Sequence, residues 1–195
     1  MNSVCVFCGS SPGANGAYRE AARATGEALV RAGLRLVYGG GNVGLMGTLA
    51  DAVLSAGGQV TGVMPRALVE REIVHQGVAD LRVVETMHER KQLMADLADA
   101  FLALPGGPGT LEEIFEQWTW AQLGIHAKPC GFLSVNGYFT PLVNMMERMV
   151  VEGFLAAPLA AMVAVENQPE KLLARFETYR PPARKWATKG SEVQP

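Results

Sequence analysis

A chain of 195 residues, 49% hydrophobic and 18% charged, can bury one sizeable core and is too short for a second. Its formal net charge of −2 offers no concentrated positive surface for a phosphate backbone, which excludes nucleic acid as an expected partner. The longest apolar stretch, Phe154 to Val165, is too short for a bilayer and contains Pro158, and Met1 leads into a strand-like run without the marks of a secretory signal, so membrane insertion and export are not expected and the expected compartment is cytoplasmic.

In chain order, strand-like and helix-like patterns alternate. Val4 to Cys8 reads as a strand, Ala17 to Ala32 as a helix, Arg35 to Tyr38 as a strand and Val43 to Ala56 as a helix. Gln59 to Met64 is again strand-like, followed by a charged loop through Asp80, a strand Leu81 to Glu85 and a helix Met87 to Asp99. Ala100 to Leu104 is a short apolar run, and after a glycine turn Leu111 to Leu123 has helical periodicity through Leu111, Ile114, Phe115, Trp118 and Leu123. Strands at Cys130 to Val135 and Met162 to Val165 and helices at Phe139 to Val151 and Glu170 to Tyr179 complete the pattern. Short apolar runs bounded by turns and separated by helices predict a Rossmann-like α/β fold, a three-layer αβα sandwich around a parallel sheet, over residues 1–180. The proline- and charge-rich residues 181–195 are expected to be a flexible or docked tail. Cys5 and Cys8, three apart in a strand, should point to opposite faces, which makes them buried hydrophobes instead of a redox or metal pair.

Ligands of open parallel sheets bind beyond the carboxyl ends of the strands. Three glycine-rich loops fall there: Cys8-Gly9-Ser10-Ser11-Pro12-Gly13, Gly39-Gly40-Gly41-Asn42-Val43-Gly44-Leu45-Met46-Gly47 and Pro105-Gly106-Gly107-Pro108-Gly109-Thr110. One such loop is ordinarily a tight turn; three at one edge point to phosphate binding by backbone amides at helix N-termini. Gly39, Gly41 and Gly44 match the dinucleotide spacing, yet the following strand ends at Val63-Met64-Pro65 without an acidic residue for a ribose hydroxyl, so a mononucleotide site is expected and a dinucleotide-dependent oxidoreductase ranks last.

Two constellations carry candidate chemistry. Thr110 and Glu113 have the spacing of a helix capping box, and the same carboxylate is equally suited to polarise water or a ribose hydroxyl; spacing leaves both readings open. Thr86 to Glu89 also resembles a capped helix start, which places Arg90 on the apolar stripe with Met87, Met94 and Leu97. Such an inward arginine needs an acidic partner or a phosphate. Lys91 beside it reads equally as a surface charge. His75, His88 and His126 form no metal spacing. Met145, Met146 and Met149 read as core or subunit-interface packing.

Met87-His88-Glu89-Arg90-Lys91, Pro105-Gly106-Gly107-Pro108-Gly109-Thr110-Leu111-Glu112-Glu113 and Trp120-Ala121-Gln122-Leu123-Gly124-Ile125-His126 together resemble the signature of the LOG (Lonely Guy) family, and the resemblance runs from Cys8-Gly9-Ser10-Ser11 to about Tyr138. It implies a homodimeric Rossmann-like enzyme that hydrolyses cytokinin riboside 5′-monophosphates, and often AMP, to free base and ribose 5-phosphate without metal or organic cofactor. It further implies Arg90 and Glu113 as the catalytic pair. Lys91, the loop Gly106, Gly107, Pro108, Gly109, Thr110, Leu111, Glu112 and Glu113, Thr119 and, upstream, Glu72 would line the nucleotide site, with Gly9, Ser10, Gly40, Gly41, Gly44 and Met46 from the other two loops. Members of the family also carry a lysine decarboxylase label, which these residues do not support, since that chemistry needs a pyridoxal site on a larger fold. The competing class is a non-catalytic nucleotide or molybdenum-cofactor carrier, which would need the phosphate nest but not the pairing of Arg90 with Glu113.

Overall fold

The computed structural model describes residues 1–70 and 74–182. In order these form β1 (Ser3–Phe7), α1 (Gly16–Arg31), β2 (Arg35–Tyr38), α2 (Gly44–Ser55), β3 (Val60–Pro65), α3 (Arg66–Val69), β4 (Asp80–Val84), α4 (Met87–Leu97), β5 (Ala100–Ala103), α5 (Pro108–Leu123), β6 (Cys130–Leu133), α6 (Thr140–Val151), α7 (Ala157–Ala160), β7 (Val163–Glu166) and α8 (Pro169–Glu177), with a 3₁₀ turn at Val135–Gly137. The seven strands make one sheet in the order β4-β3-β2-β1-β5-β6-β7, every neighbouring pair parallel. The chain first winds outward from β1 to β4, then returns through α4 to lay β5 on the other side of β1. That reversal splays the connections after β1 and β5 apart and opens a crevice between them.

Alternation along the strands divides the core. Val4, Val6, Leu36, Tyr38 and Leu102 face a layer containing Ala22 and Leu29 of α1, Leu49 and Val53 of α2, and Leu172 and Phe176 of α8. Cys5, Phe7, Val37, Phe101 and Phe132 face Met94 of α4, Ile114 and Trp118 of α5, Met146 of α6 and Leu159 of α7. The result is the expected three-layer sandwich. The central strands are buried on both faces, as their unbroken apolar runs require. Burying each large aliphatic side chain contributes roughly 1.5–3 kcal/mol. The edge strand β4 is half-exposed and carries Asp80 and Arg82, charges that discourage a further strand from pairing.

The alternation also sends Cys5 and Cys8 into opposite layers. Both, with Cys130, are buried free thiols. Three short elements fall outside the predicted helices: α3, α7 and the 3₁₀ turn, whose first residue, Val135, the sequence pattern assigns to the end of the strand that stops at Leu133; none is long enough to establish a helical period. The start of α5 also differs from the expected one: the helix begins at Pro108, three residues before the apolar periodicity. Of the predicted tail, residues 183–195 lie outside the described residues.

Candidate active site

The crevice between β1 and β5 is closed at its floor by the glycine loops themselves. Gly9 N donates to Pro105 O (3.1 Å), and Leu45 N donates to Gly9 O (3.0 Å). Gly44 adopts φ +57 with its Cα against the backbone of Ser10, and a Cβ at Gly106 would collide with the Thr110 hydroxyl and approach Gly9 N to 2.8 Å. These glycines are needed because three loops dovetail through bare backbone. Above them a cavity of about 260 Å³ opens between Gly9, Ser10, Gly106 and Gly107, walled by Tyr18 and Tyr138. The two rings meet edge to face with centroids 5.7 Å apart. Tyr138 is fixed by donating its hydroxyl hydrogen to Gly106 O (2.7 Å).

The N-terminus of α5 faces this crevice without a cap from any side chain. Gly107 is the N-cap, extended at φ −86, and Pro108 occupies the first helical position, where its missing N–H costs nothing and its fixed φ suits the helix. Thr110 therefore lies inside the first turn, buried against Gly106, and not at the N-cap; the capping-box reading of Thr110 and Glu113 is corrected. The amides of Gly109 and Thr110 sit in the first turn, where helix geometry supplies no acceptor. With the helix dipole they form a ready anion site. The N-terminus of α2, at Val43, likewise has no side-chain cap.

Glu113, freed from capping, turns toward α4. That helix starts with a complete capping box: Glu89 N donates to Thr86 Oγ1 (3.1 Å), and the Glu89 carboxylate accepts from Glu85 N (2.8 Å) and Thr86 N (3.4 Å). The box fixes the phase that sends Arg90 inward. Its Nε donates to Val63 O (3.1 Å), and its Nη1 lies 3.4 Å from Glu113 Oε1. Both side chains are largely buried, 12% and 14% exposed. Gly39 is the reason Arg90 fits, since a Cβ there would collide with Nη2. Burial raises the Glu113 carboxyl above its ordinary range; Arg90 opposes the rise, Glu112 and Glu116 add to it and Lys91 opposes it.

Lys91 points away from this pair into a second set of carboxylates, 2.6 Å from Glu112 and 2.9 Å from Glu116. Those partners raise its pKa and hold it protonated, the hydrogen bond to Glu112 foremost. The predicted site thus resolves into three adjoining parts: the pair Arg90–Glu113 with Gly39, the nest of Gly9, Ser10, Gly44 and Gly106 to Thr110, and the Lys91 cluster with Glu112. Gly40 (φ +78) and Gly41 continue the Gly39 loop, and Met46 packs beside Gly39. Leu111 is partly buried in the α5 layer. Thr119 lies six residues along α5 from Glu113 and is exposed, so this chain alone does not bring it to the pair. Glu72 lies outside the described residues. Tyr18 and Tyr138 were missed, because nothing in their local pattern marks an aromatic as cavity wall; the Asn136-Gly137 turn before Tyr138 was the available signal. Among the described residues no three His, Cys, Asp or Glu side chains group as for a metal ion.

Residues 46–176 match a family model described as "Possible lysine decarboxylase". A cytokinin riboside 5′-monophosphate phosphoribohydrolase of Rhodococcoides fascians is 50% identical over 177 residues, 90% of this chain and 89% of that protein. A cytokinin riboside 5′-monophosphate phosphoribohydrolase of Arabidopsis thaliana is 45% identical over 188 residues, 96% of this chain and 88% of its own length. Among solved structures, a molybdenum cofactor binding protein from Rippkaea orientalis superposes with a TM-score of 0.69 at 18% identity, covering 91% of this chain and 97% of that one. At that identity the likeness is one of fold.

Proposed function

The chain belongs to the LOG family of cytokinin riboside 5′-monophosphate phosphoribohydrolases, and we infer from that membership how its site acts. The protein hydrolyses the N-glycosidic bond of a nucleoside 5′-monophosphate: water adds its oxygen to C1′ of the ribose, the C1′–N bond breaks, and the proton goes to the departing base. The products are free base and ribose 5-phosphate.

The observation that carries the assignment of residues is the buried pair Arg90–Glu113 at the mouth of the uncapped α5 N-terminus. The 5′-phosphate takes the place of the missing cap, accepting hydrogen bonds from the amides of Gly107, Gly109 and Thr110, with Gly9 and Ser10 across the crevice. As the glycosidic bond lengthens, positive charge grows on the ribose ring, and the Glu113 carboxylate stabilises it and orients the attacking water. Arg90 favours the ionised form of Glu113, opposing the effect of burial, and offsets negative charge on the departing base. Lys91 and Glu112 border the site, and Thr119, Glu72, Gly40, Gly41, Gly44 and Met46 remain part of the proposed nucleotide surface.

A carrier reading is not favoured, since holding a phosphorylated ligand gives no reason to bury a carboxylate against a guanidinium. A lysine-based decarboxylation is opposed by Lys91, whose two carboxylates hold it protonated where a Schiff-base lysine must lose its proton. Exposed Met145, Val151 and Phe154 support self-association as a homodimer, and three unpaired thiols suit a reducing cytoplasm. The test is chromatographic: purified protein with AMP and with isopentenyladenosine 5′-monophosphate should release free base from at least one, and binding of both without cleavage would return the carrier reading.

A further inference from the structure

One buried polar group has no part in the chemistry above. His75 is 6% exposed, and both ring nitrogens are engaged. Gly77 N donates to Nδ1 (3.1 Å), which leaves the ring proton on Nε2, 3.0 Å from Asp51 Oδ1 on α2. The backbone of the same residue donates to Gly40 O (3.0 Å), and its neighbour Val74 forms an antiparallel bridge with Gly41. His75 therefore ties α2, the turn at residues 75–77 and the loop Gly39–Gly41 into one unit.

That loop is the one against which Arg90 lies. Three consecutive glycines have more conformational freedom than any other tripeptide, and here Gly40 is held at φ +78. Without a clamp the loop would sample many positions, and the flat wall that Gly39 presents to the Arg90 guanidinium would be lost. We propose that His75, braced by Asp51, is a positioning residue that clamps Gly39–Gly41 against Arg90 and so keeps Arg90 on Glu113. The inference rests on Arg90 and Glu113 being the reacting pair.

The test needs a readout that simple loss of stability would not move, and Glu113 supplies one. Its carboxyl faces Arg90 and Lys91 from α4, Glu112 and Glu116 from its own helix, Cys5 from β1 and Cys8 just beyond that strand. Burial raises its pKa and Arg90 holds it down. If Arg90 drifts, the acid limb of the kcat–pH profile moves to higher pH. In the full-length protein assayed with AMP and isopentenyladenosine 5′-monophosphate, His75→Ala is expected to lower kcat/KM by about tenfold or more, mostly in kcat, and to shift that limb upward by about half a pH unit. His75→Asn, whose side-chain oxygen accepts the Gly77 amide as in an Asx turn, should recover part of both. Asp51→Ala, a change on an exposed residue, should move both in the same direction by less.

An unmoved limb in His75→Ala and Asp51→Ala, whether kcat is preserved or falls only with the folded fraction, overturns the proposal. Glu113→Gln separates the two levels. Retained turnover in Glu113→Gln removes the reading of the pair itself, whereas an inactive Glu113→Gln beside an unmoved limb in His75→Ala removes only the clamp.

Discussion

The helices α4 and α5 enter the same edge of the sheet with the same four-residue signature, Thr-x-x-Glu, and use it in opposite ways. In α4 the signature closes on itself: Thr86 and Glu89 satisfy each other's backbone, and the cap position is taken by side chains of the helix's own start. In α5, Pro108 starts the helix early, Thr110 is pulled inside the first turn, and Glu113 is released to meet Arg90. The first arrangement is a stability device and the second leaves amides and a carboxylate unspent. In the proposed reading, chemistry at this edge comes from what the fold declines to satisfy locally.

Changes to the two ends should therefore have different readouts. The largest effect is expected at Glu113: Glu113→Ala should lower kcat by about 10³-fold or more with the fold intact, measured as base release in steady state. Because burial raises the carboxyl of Glu113, turnover should be full above that raised value and fall as pH drops through it, at a pH above the ordinary carboxylate range. Next is Gly39→Ala, where the new methyl displaces the Arg90 guanidinium; a loss of about 100-fold in kcat/KM is expected, with melting temperature little changed.

Gly107→Asp makes α5 resemble α4. Nothing lies within 4 Å of a Cβ at that position, so the aspartate fits and caps the free amides. KM for the nucleotide should rise by about tenfold or more while stability holds or improves by a few tenths of a kcal/mol, because the carboxylate takes the phosphate's place. The smallest effect belongs to the closed end: Thr86→Ala should cost about 1 kcal/mol in denaturant unfolding and leave KM unchanged. A rise in KM there would erase the distinction between the two helices.

The layers, the parallel sheet and the strand positions were legible because each central strand is an unbroken apolar run and each helix has a long enough apolar stripe. Arg90 was legible for the same reason, as a charge on a stripe where none belongs. What eluded the sequence were features set by where a helix begins. The apolar period of α5 starts at Leu111, and Pro108-Gly109 read as loop although proline at a first helical position was the available clue. The clamp at His75 was equally hidden, since its partners are Gly77 nearby and Asp51 and Gly40 far along the chain, and a lone histidine in a charged loop gives no sign of them. The Tyr18–Tyr138 wall joins residues from α1 and from the turn after β6, a meeting that only the crossover brings about.

The three cysteines have a use unconnected with catalysis. Cys5 and Cys130 lie in one core layer and Cys8 in the other, and burial raises the pKa of every one of these thiols. An alkylating reagent needs a thiolate it can touch, and the closed molecule presents none. Labelling must wait for the sheet to part, so the protein carries a built-in reporter at its centre: the rate of alkylation at Cys5 and at Cys8 times the opening of each layer separately, and equal rates would mean that the two layers come off the sheet together.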